Sequence, residues 1–195
     1  NVTGVTSLST ELTARRLELL REINPSGTRI AMPHTASENG DIAATRSVEI
    51  AQETAHKLGM DLMLFPVRAR EDNAAVAKRI LRRETDGIIV GGDSLIWGDI
   101  DIYIAQAIQE KIPFAAFDLS QVQKGALLGF GPDYVVSGEQ SAVLTHQILL
   151  GRPPGEIPVE VPRKLLLTVN QKTARAIGMA FSDAFLEKVD KIVGE

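Results

Sequence analysis

The feature that most constrains the fold of this chain is the alternation of short, continuously apolar segments with segments of helical periodicity. The apolar segments lie at 29–33, 61–67, 87–91, 112–118, 125–131 and 164–170. Strands that are apolar throughout belong in a sheet covered on both faces, and strand–helix alternation makes such a sheet parallel with right-handed crossovers. The sequence therefore predicts an α/β fold with a doubly wound, mostly parallel sheet of the flavodoxin-like type.

The helices predicted between these strands follow the spacing of their apolar residues and their end signals. They lie at 11–24, 40–58, 73–84, around Ile100, Ile104 and Ile108, at 134–150, in a short segment ending at Gly178, and near 183–193. Gly59 follows Lys57 in the manner of a helix C-cap. A polar turn is predicted between 118 and 125, and "GRPPGEIP" is typical of a linker.

Composition excludes several classes of protein. The net charge is −4, and no basic stripe interleaved with aromatic residues occurs, which argues against a nucleic-acid partner. The chain has no cysteine, so disulfides, thiol catalysis and cysteine-based zinc sites are excluded. No apolar run reaches the roughly 18 residues that a membrane span requires, so we expect no membrane insertion of this segment.

Ligands of open parallel sheets bind at the carboxyl ends of the strands, and this rule selects the loops 33–39, 91–98, 117–123 and 130–134. Hydroxyl and carboxylate side chains in these loops would suit a small zwitterion, with two aromatic residues close by. The predicted ligand-binding residues are Thr35, Ser37, Glu38, Asp93, Ser94, Trp97, Phe117 and Asp118. For Trp97, ligand contact and packing beneath its own loop are both open.

The sequence lacks the motifs that are typical of phosphate binding, metal binding and catalysis by a serine nucleophile. "GGDS" lacks the Lys-Ser/Thr pair of a phosphate loop, and no G-x-G-x-x-G opens a helix. The histidines, His34, His56 and His146, are far apart, so neither a metal site nor a cofactor is predicted. No G-x-S-x-G elbow provides a serine nucleophile. An α/β enzyme that uses Asp93 and Asp118 as acid and base stays open as an alternative.

Several stretches resemble the substrate-binding proteins of ABC transporters, in the branch associated with tryptophan and tyrosine uptake. They are "NVTGVTSLSTELTARRLELLREINP", "TASEN", "VGGDSLI", "GALLGFGPDY" and "GRPPGEIPVEVPRKLLLTVNQKTARAIGM", which together cover nearly the whole chain. The last stretch is the most specific, because it keeps a pattern of Pro, Asn, Thr and Gly residues in order. The resemblance implies a type I periplasmic binding protein, in which two α/β lobes close on a ligand.

The resemblance also implies a division of the chain. Residues 1–130 would form the C-terminal ligand-binding lobe, 131–162 the hinge and crossover segment that returns to the first lobe, and 163–195 the last strand and helices of the C-terminal lobe. The N-terminal lobe would then be missing from this sequence. Half of the ligand cleft would be missing with it.

The family loops correspond to three short segments here. Its Ser-Ser-Glu loop matches Ala36-Ser37-Glu38, with the first serine lost, and its Thr-Asp-Asn loop matches Gly92-Asp93-Ser94, with the acid that would hold an amino group. A third family loop matches Phe117-Asp118. Because two of these positions depart from the pattern, the resemblance argues for a small-molecule ligand more strongly than for an aromatic amino acid.

The implied function is that of a non-catalytic solute-binding component of an ABC importer, which recognises a small molecule such as an amino acid between two lobes. Its partners would be the ligand and an ABC permease. It would lie in the periplasm or outside the cell, lipid-anchored through a missing N-terminus. The alternatives are the extracytoplasmic sensing domain of a signalling protein, with a fused or partner signalling domain, and the enzyme named above.

Overall fold

A computed structural model describes residues 1–36 and 41–194, and within them seven strands form one sheet in the order β2-β1-β3-β4-β5-β6-β7. The strands are β1 Arg29–Thr35, β2 Asp61–Val67, β3 Gly87–Ile89, β4 Phe114–Ala116, β5 Leu128–Pro132, β6 Leu165–Asn170 and β7 Lys191–Val193. Strands β1 to β5 are parallel, whereas β6 is antiparallel to β5 and parallel to β7. This order confirms the doubly wound, mostly parallel sheet, and its first five strands follow the flavodoxin-like order.

Helices connect these strands across both faces of the sheet. They are α1 Thr13–Ile23, α2 Ile42–Leu58, α3 Asn73–Ala77, α4 Ser94–Gly98, α5 Ile100–Gln109, α6 Leu119–Lys124, α7 Tyr134–Leu149, α8 Gln171–Ile177 and α9 Asp183–Leu186, with short 3₁₀ helices at Arg70–Asp72 and Pro154–Glu156. None of the helices in this part of the chain is long and apolar enough to cross a membrane.

The helix predicted over 73–84 is too long, because α3 ends at Ala77. Side chains of α5 provide the reason. Gln106 Nε2 donates to the Ile80 carbonyl, and the Glu110 carboxylate accepts a hydrogen bond from the Arg82 backbone N–H. These contacts satisfy backbone groups that a longer helix would have paired internally, and Ile80 turns into the core with no exposed surface.

Two further expectations were wrong for reasons of capping and pairing. The predicted polar turn is helix α6, because Asp118 caps its first turn and Gly125, at a φ of 124°, ends it. The helix predicted near 183–193 is divided into α9 and strand β7. Ile192 pairs with Val169 of β6, so sheet hydrogen bonds override the local helical pattern at that end of the chain.

The core has two apolar layers, one on each face of the sheet. Neighbouring strand residues alternate between them: Ile88 belongs to the layer under α3, α5 and α6, and Ile89 to the layer under α1 and α2. Phe114 and Ile104 pack in the first layer, and Leu20 packs in the second. Both faces of the strands β3 and β4 are therefore covered, as their continuous apolar sequence predicts.

The segment after β5 is packed differently from the rest. Helix α7 buries only Gln140 and Leu144 among its described side chains, and Leu149 is 79% exposed. Its main attachment is polar, since Gln140 Nε2 donates to the Glu160 carboxylate. The residues around Glu160 in turn pair in parallel with the start of the chain through a bridge to Val5. The segments around Val5 and Glu160, which are distant in the sequence, therefore lie side by side in the structure.

Candidate functional site

The carboxyl ends of β1, β3 and β4 meet at one edge of the sheet, because the three strands are parallel neighbours. We refer to this region, formed by Thr35, 90–97 and 117–118, as the carboxyl edge. The structure places Thr35, Asp93, Ser94, Trp97, Phe117 and Asp118 there. Ser37 and Glu38 lie outside the described residues, so their roles stay predictions.

Asp93 lies at the centre of the carboxyl edge and is 2% exposed. One carboxylate oxygen, Oδ2, accepts a hydrogen bond from the Thr35 backbone N–H at 2.6 Å. The other, Oδ1, accepts from the Thr35 hydroxyl at 2.7 Å and from the Ile96 backbone N–H at 3.2 Å. Asp93 therefore caps α4 and ties the end of β3 to the end of β1, two roles that follow from a carboxylate's capacity to accept several bonds.

The glycine pair before Asp93 is required by close packing. A Cβ atom on Gly91 would lie 2.3 Å from the Ser47 Cβ of α2, and one on Gly92 would lie 2.7 Å from the Ser9 hydroxyl. The Gly92 N–H donates to the Ser47 hydroxyl at 2.9 Å. Glycine therefore lets α2 and the turn before α1 approach the loop, which explains the sequence "GG" without a phosphate.

Trp97 and Phe117 form a stacked pair, with ring centroids 4.7 Å apart and an interplanar angle of 20°. The Trp97 indole N–H donates to the Gly91 carbonyl at 2.9 Å. Phe117 is buried, whereas Trp97 is half-buried and Ser94 beside it is exposed. Trp97 therefore packs on its own loop, as one of its two predicted roles requires, and still presents part of its ring to the outside.

Asp118 caps α6 and is 8% exposed. Its Oδ1 accepts from the Ser120 hydroxyl at 2.6 Å and from the Gln121 N–H at 3.1 Å. The charge of Asp118 also acts on the phenol of Tyr134, which is 54% exposed. Partial burial of the ring, followed by the charge of Asp118, raises the pKa of Tyr134 to about 12. Sequence reasoning selected the loop 130–134 but did not name Tyr134, the first residue of α7.

Arg16 is a site residue that sequence reasoning missed. Its side chain has no exposed surface, and its guanidinium donates to the backbone carbonyls of Val90 and Ser9. The guanidinium carbon lies 5.0 Å from the centroid of the Phe117 ring. Burial lowers the pKa of Arg16 to about 9, and the nearby charge of Asp118 opposes that shift. The available signal was its helical position, four residues after Leu12 and within the buried face of α1.

The charges of this edge set it apart from the rest of the molecule. Across residues 1–36 and 41–194, the buried side chains of Asp, Glu, Lys and Arg are those of Arg16, Asp93 and Asp118. All three belong to the carboxyl edge or contact it directly. Over the same ranges, no group of three or more His, Asp or Glu side chains is arranged to hold a metal ion.

The fold defines a class: the mostly parallel sheet with its flanking helices is that of type I periplasmic-binding-protein-like folds. The sequence profile of the family described as ABC transporter substrate binding protein matches residues 1–193. The chain belongs to that family, whose members bind small-molecule ligands and work with ABC permeases.

Individual relatives agree with this family and fold. Over 181 residues the chain is 27% identical to a tyrosine-binding protein of Clostridioides difficile strain R20291, a match that covers 92% of this chain and 50% of the relative. The crystal structure of a conserved domain protein from Vibrio cholerae is 28% identical and superposes with a TM-score of 0.86, covering 98% of this chain and 63% of that one.

A third relative shows the fold alone. It is the ABC domain in complex with L-Trp from Streptococcus pneumoniae, which is 22% identical with a TM-score of 0.84, covering 99% of this chain and 65% of that one. The chain thus spans about half the length of the curated relative it matches, and less than two thirds of the solved ones.

Proposed function

We propose that this chain is the C-terminal ligand-binding lobe of a solute-binding protein that delivers an amino acid to an ABC importer. Membership of the substrate-binding family supports the role, and the ligands of two relatives, tyrosine and L-Trp, support an amino acid. The ligand would bind at the carboxyl edge and be enclosed by a first lobe. That lobe would account for the part of the relatives that this chain does not span.

The charge balance of the carboxyl edge is the observation that carries this proposal. Two buried carboxylates, Asp93 and Asp118, accompany one buried guanidinium, Arg16, which leaves one negative charge without a buried cation. Buried charges are stable only when they are compensated. We infer that the ammonium group of the ligand supplies the compensating charge.

Asp93 retains a place for that ammonium group. Among the contacts of the described residues, its Oδ2 accepts one hydrogen bond, from the Thr35 N–H. A carboxylate oxygen can accept two. The exposed Ser94 and the hydroxyl of Ser37 would bind the ligand's carboxylate, and the open part of the Trp97 ring would contact its side chain.

The segment 131–162 would return to the first lobe. Its exposed apolar side chains, such as Val143 and Leu149, support this part of the proposal, because a first lobe would cover them. The parallel bridge between Val5 and Glu160 would form part of the hinge. Ligand binding would then favour a closed arrangement of the two lobes, and the permease would recognise that arrangement.

We propose a binding role without catalysis. Asp93 and Asp118, the candidate acid and base, each cap a helix and each accept hydrogen bonds from neighbouring side chains. General acid–base catalysis needs a group that is free to exchange a proton with the substrate.

We also propose that the protein lies outside the cytoplasmic membrane, held there by a lipid anchor on a segment ahead of Asn1.

Calorimetry with the natural gene product that contains this chain tests the proposal. The ligands are the twenty amino acids and, for any that binds, its deaminated acid and its decarboxylated amine. We expect saturable binding of the amino acid and loss of binding for the deaminated acid, because that compound lacks the ammonium group. Equal affinity for the deaminated acid would contradict the charge argument. A product detected by mass spectrometry after long incubation would favour the enzyme instead.

The genes beside this one distinguish import from sensing. A neighbouring permease and ATPase would support the importer. A kinase or cyclase domain encoded in the same reading frame would instead make this lobe part of a sensor, with the same ligand-binding step.

A further inference from the structure

We propose that Arg16 is a positioning residue of the carboxyl edge, which holds the Trp97–Phe117 pair in the orientation that faces the ligand. The effect of Arg16 on ligand affinity rests on the function proposed above. Its effect on Trp97 does not, because that effect is visible without a ligand.

The first group of contacts links Arg16 to the loop that carries Trp97. The Arg16 guanidinium donates to the carbonyl of Val90, the residue that directly precedes the glycine pair, and to the carbonyl of Ser9 in the turn before α1. The next carbonyl in the loop, that of Gly91, accepts the hydrogen bond from the Trp97 indole. Arg16 therefore holds the backbone that orients one edge of the Trp97 ring.

The second group of contacts links Arg16 to the face of the same ring. The guanidinium lies 5.0 Å from the centroid of Phe117, within the range of a cation–π contact, and Phe117 stacks on Trp97. The Phe117 backbone N–H donates to the Gln121 side-chain oxygen at 2.8 Å, which holds the end of β4 in place. Trp97 is therefore positioned from two sides, and Arg16 contacts both of them.

The chemistry of Arg16 points to a role beyond filling space. Its hydrogen-bond partners are backbone carbonyls, and its Nε has no partner among the described residues. Burial of a guanidinium in this way is costly, and an apolar side chain of similar volume would be stable there. What the guanidinium provides is a planar donor group that reaches two separate carbonyls while it lies against an aromatic ring. This combination serves the geometry of the edge.

The test uses the fluorescence of Trp97, which is the single tryptophan of the chain. The variants are Arg16→Met, which keeps the volume, and Arg16→Lys, which keeps the charge. The matched control is Leu20→Ala, a buried residue of the same helix that belongs to the core layer under α1 and α2. Circular dichroism is used to find conditions in which each variant is folded, and the spectra are compared under those conditions.

In ligand-free Arg16→Met we expect Trp97 emission at longer wavelength and acrylamide quenching increased about twofold, because the ring loses its support. Arg16→Lys should restore part of the change. Leu20→Ala should lower the melting temperature without altering the folded-state spectrum. If Arg16→Met does not fold, Arg16→Lys is measured in its place, and a smaller spectral change in the same direction is expected because a lysine cannot reach both carbonyls.

An unchanged Trp97 spectrum in a folded Arg16→Met or Arg16→Lys variant would overturn the proposal, and so would a spectral change of equal size in Leu20→Ala. Where the parent protein binds an amino acid, Arg16→Met should weaken its affinity about tenfold. If the parent binds none, the proposed function fails. The spectral change would still support Arg16 as the residue that positions Trp97.

Discussion

The two aspartates of the carboxyl edge arise from the same local pattern and have different surroundings. Asp93 and Asp118 each follow a three-residue buried strand, and each caps the helix that comes next. The carboxylate of Asp93 reaches across the sheet to Thr35, 58 residues earlier in the chain. The hydrogen bonds of Asp118 are with its own helix, and its charge acts on Tyr134 and on Arg16.

The same local pattern therefore serves mainly the architecture at Asp93 and mainly the electrostatics at Asp118. The bonds of Asp93 join two strands and a helix, so its removal should lower stability and also remove the proposed partner of the ligand's ammonium group. The charge of Asp118 acts on a buried guanidinium and on the half-exposed Tyr134, so its removal should mainly affect the field that a ligand meets. Four measurements separate these roles.

The largest effect is expected for Asp93→Ala. The substitution removes a helix cap and leaves the N–H and hydroxyl of Thr35 buried without an acceptor, which together should lower the free energy of unfolding by about 3 kcal/mol. Asp118→Ala loses the cap of α6 and a part-buried bond from the Ser120 hydroxyl, and should cost about 1 kcal/mol. Urea denaturation of both variants measures the two values, and equal losses would remove the distinction.

Asp118→Asn should weaken binding of the amino acid about tenfold, because the negative charge is lost while an oxygen remains to cap α6. Calorimetry gives the affinity, and urea denaturation of the same variant shows whether stability changed as well. A large loss of stability with unchanged affinity would make Asp118 the architectural residue of the two.

Thr35→Val isolates one bond of Asp93. The valine keeps the volume of Thr35 and removes its hydroxyl donor, so the free energy of unfolding should fall by about 1 kcal/mol. The control is Thr45→Val on α2, where the hydroxyl bonds an exposed backbone carbonyl and little change is expected. If Thr45→Val lowered the free energy of unfolding as much as Thr35→Val does, the bond to Asp93 would contribute no more to stability than an exposed hydroxyl bond.

The smallest effect concerns alkaline pH. Since the pKa of Tyr134 is raised to about 12 in the folded protein, its neutral form favours folding. That stabilisation is fully present below the ordinary tyrosine pKa of about 10 and is lost as the pH rises from there through the folded value. Absorbance at the phenolate band should therefore rise late in the folded protein, and Tyr134→Phe should remove the earlier step, because burial raises the pKa of the other tyrosine, Tyr103, further still. If Tyr134 instead titrated near the ordinary tyrosine pKa, the charge of Asp118 would not act on it.

Much of the fold could be predicted from the sequence because it depends on local patterns. Continuous apolar runs specify strands covered on both faces, and Gly59, at a φ of 64°, ends α2 where its position after Lys57 predicts. The loops of the site follow from the rule for parallel sheets. Elements that depend on distant partners were less predictable. The clearest example is β7, which exists because Ile192 pairs with β6.

The sequence by itself determined the α/β architecture and the edge of the sheet at which Asp93, Trp97 and Asp118 lie. The reason is that hydrophobic periodicity and the alternation of strands with helices depend on neighbouring residues. Only the tertiary structure decided what these side chains contact. The acceptor of Arg16 at Val90 is 74 residues away and the partner of Asp93 is 58 residues away. Whether a charge is buried, paired or exposed depends on such distant neighbours, since burial and compensation are properties of packed segments.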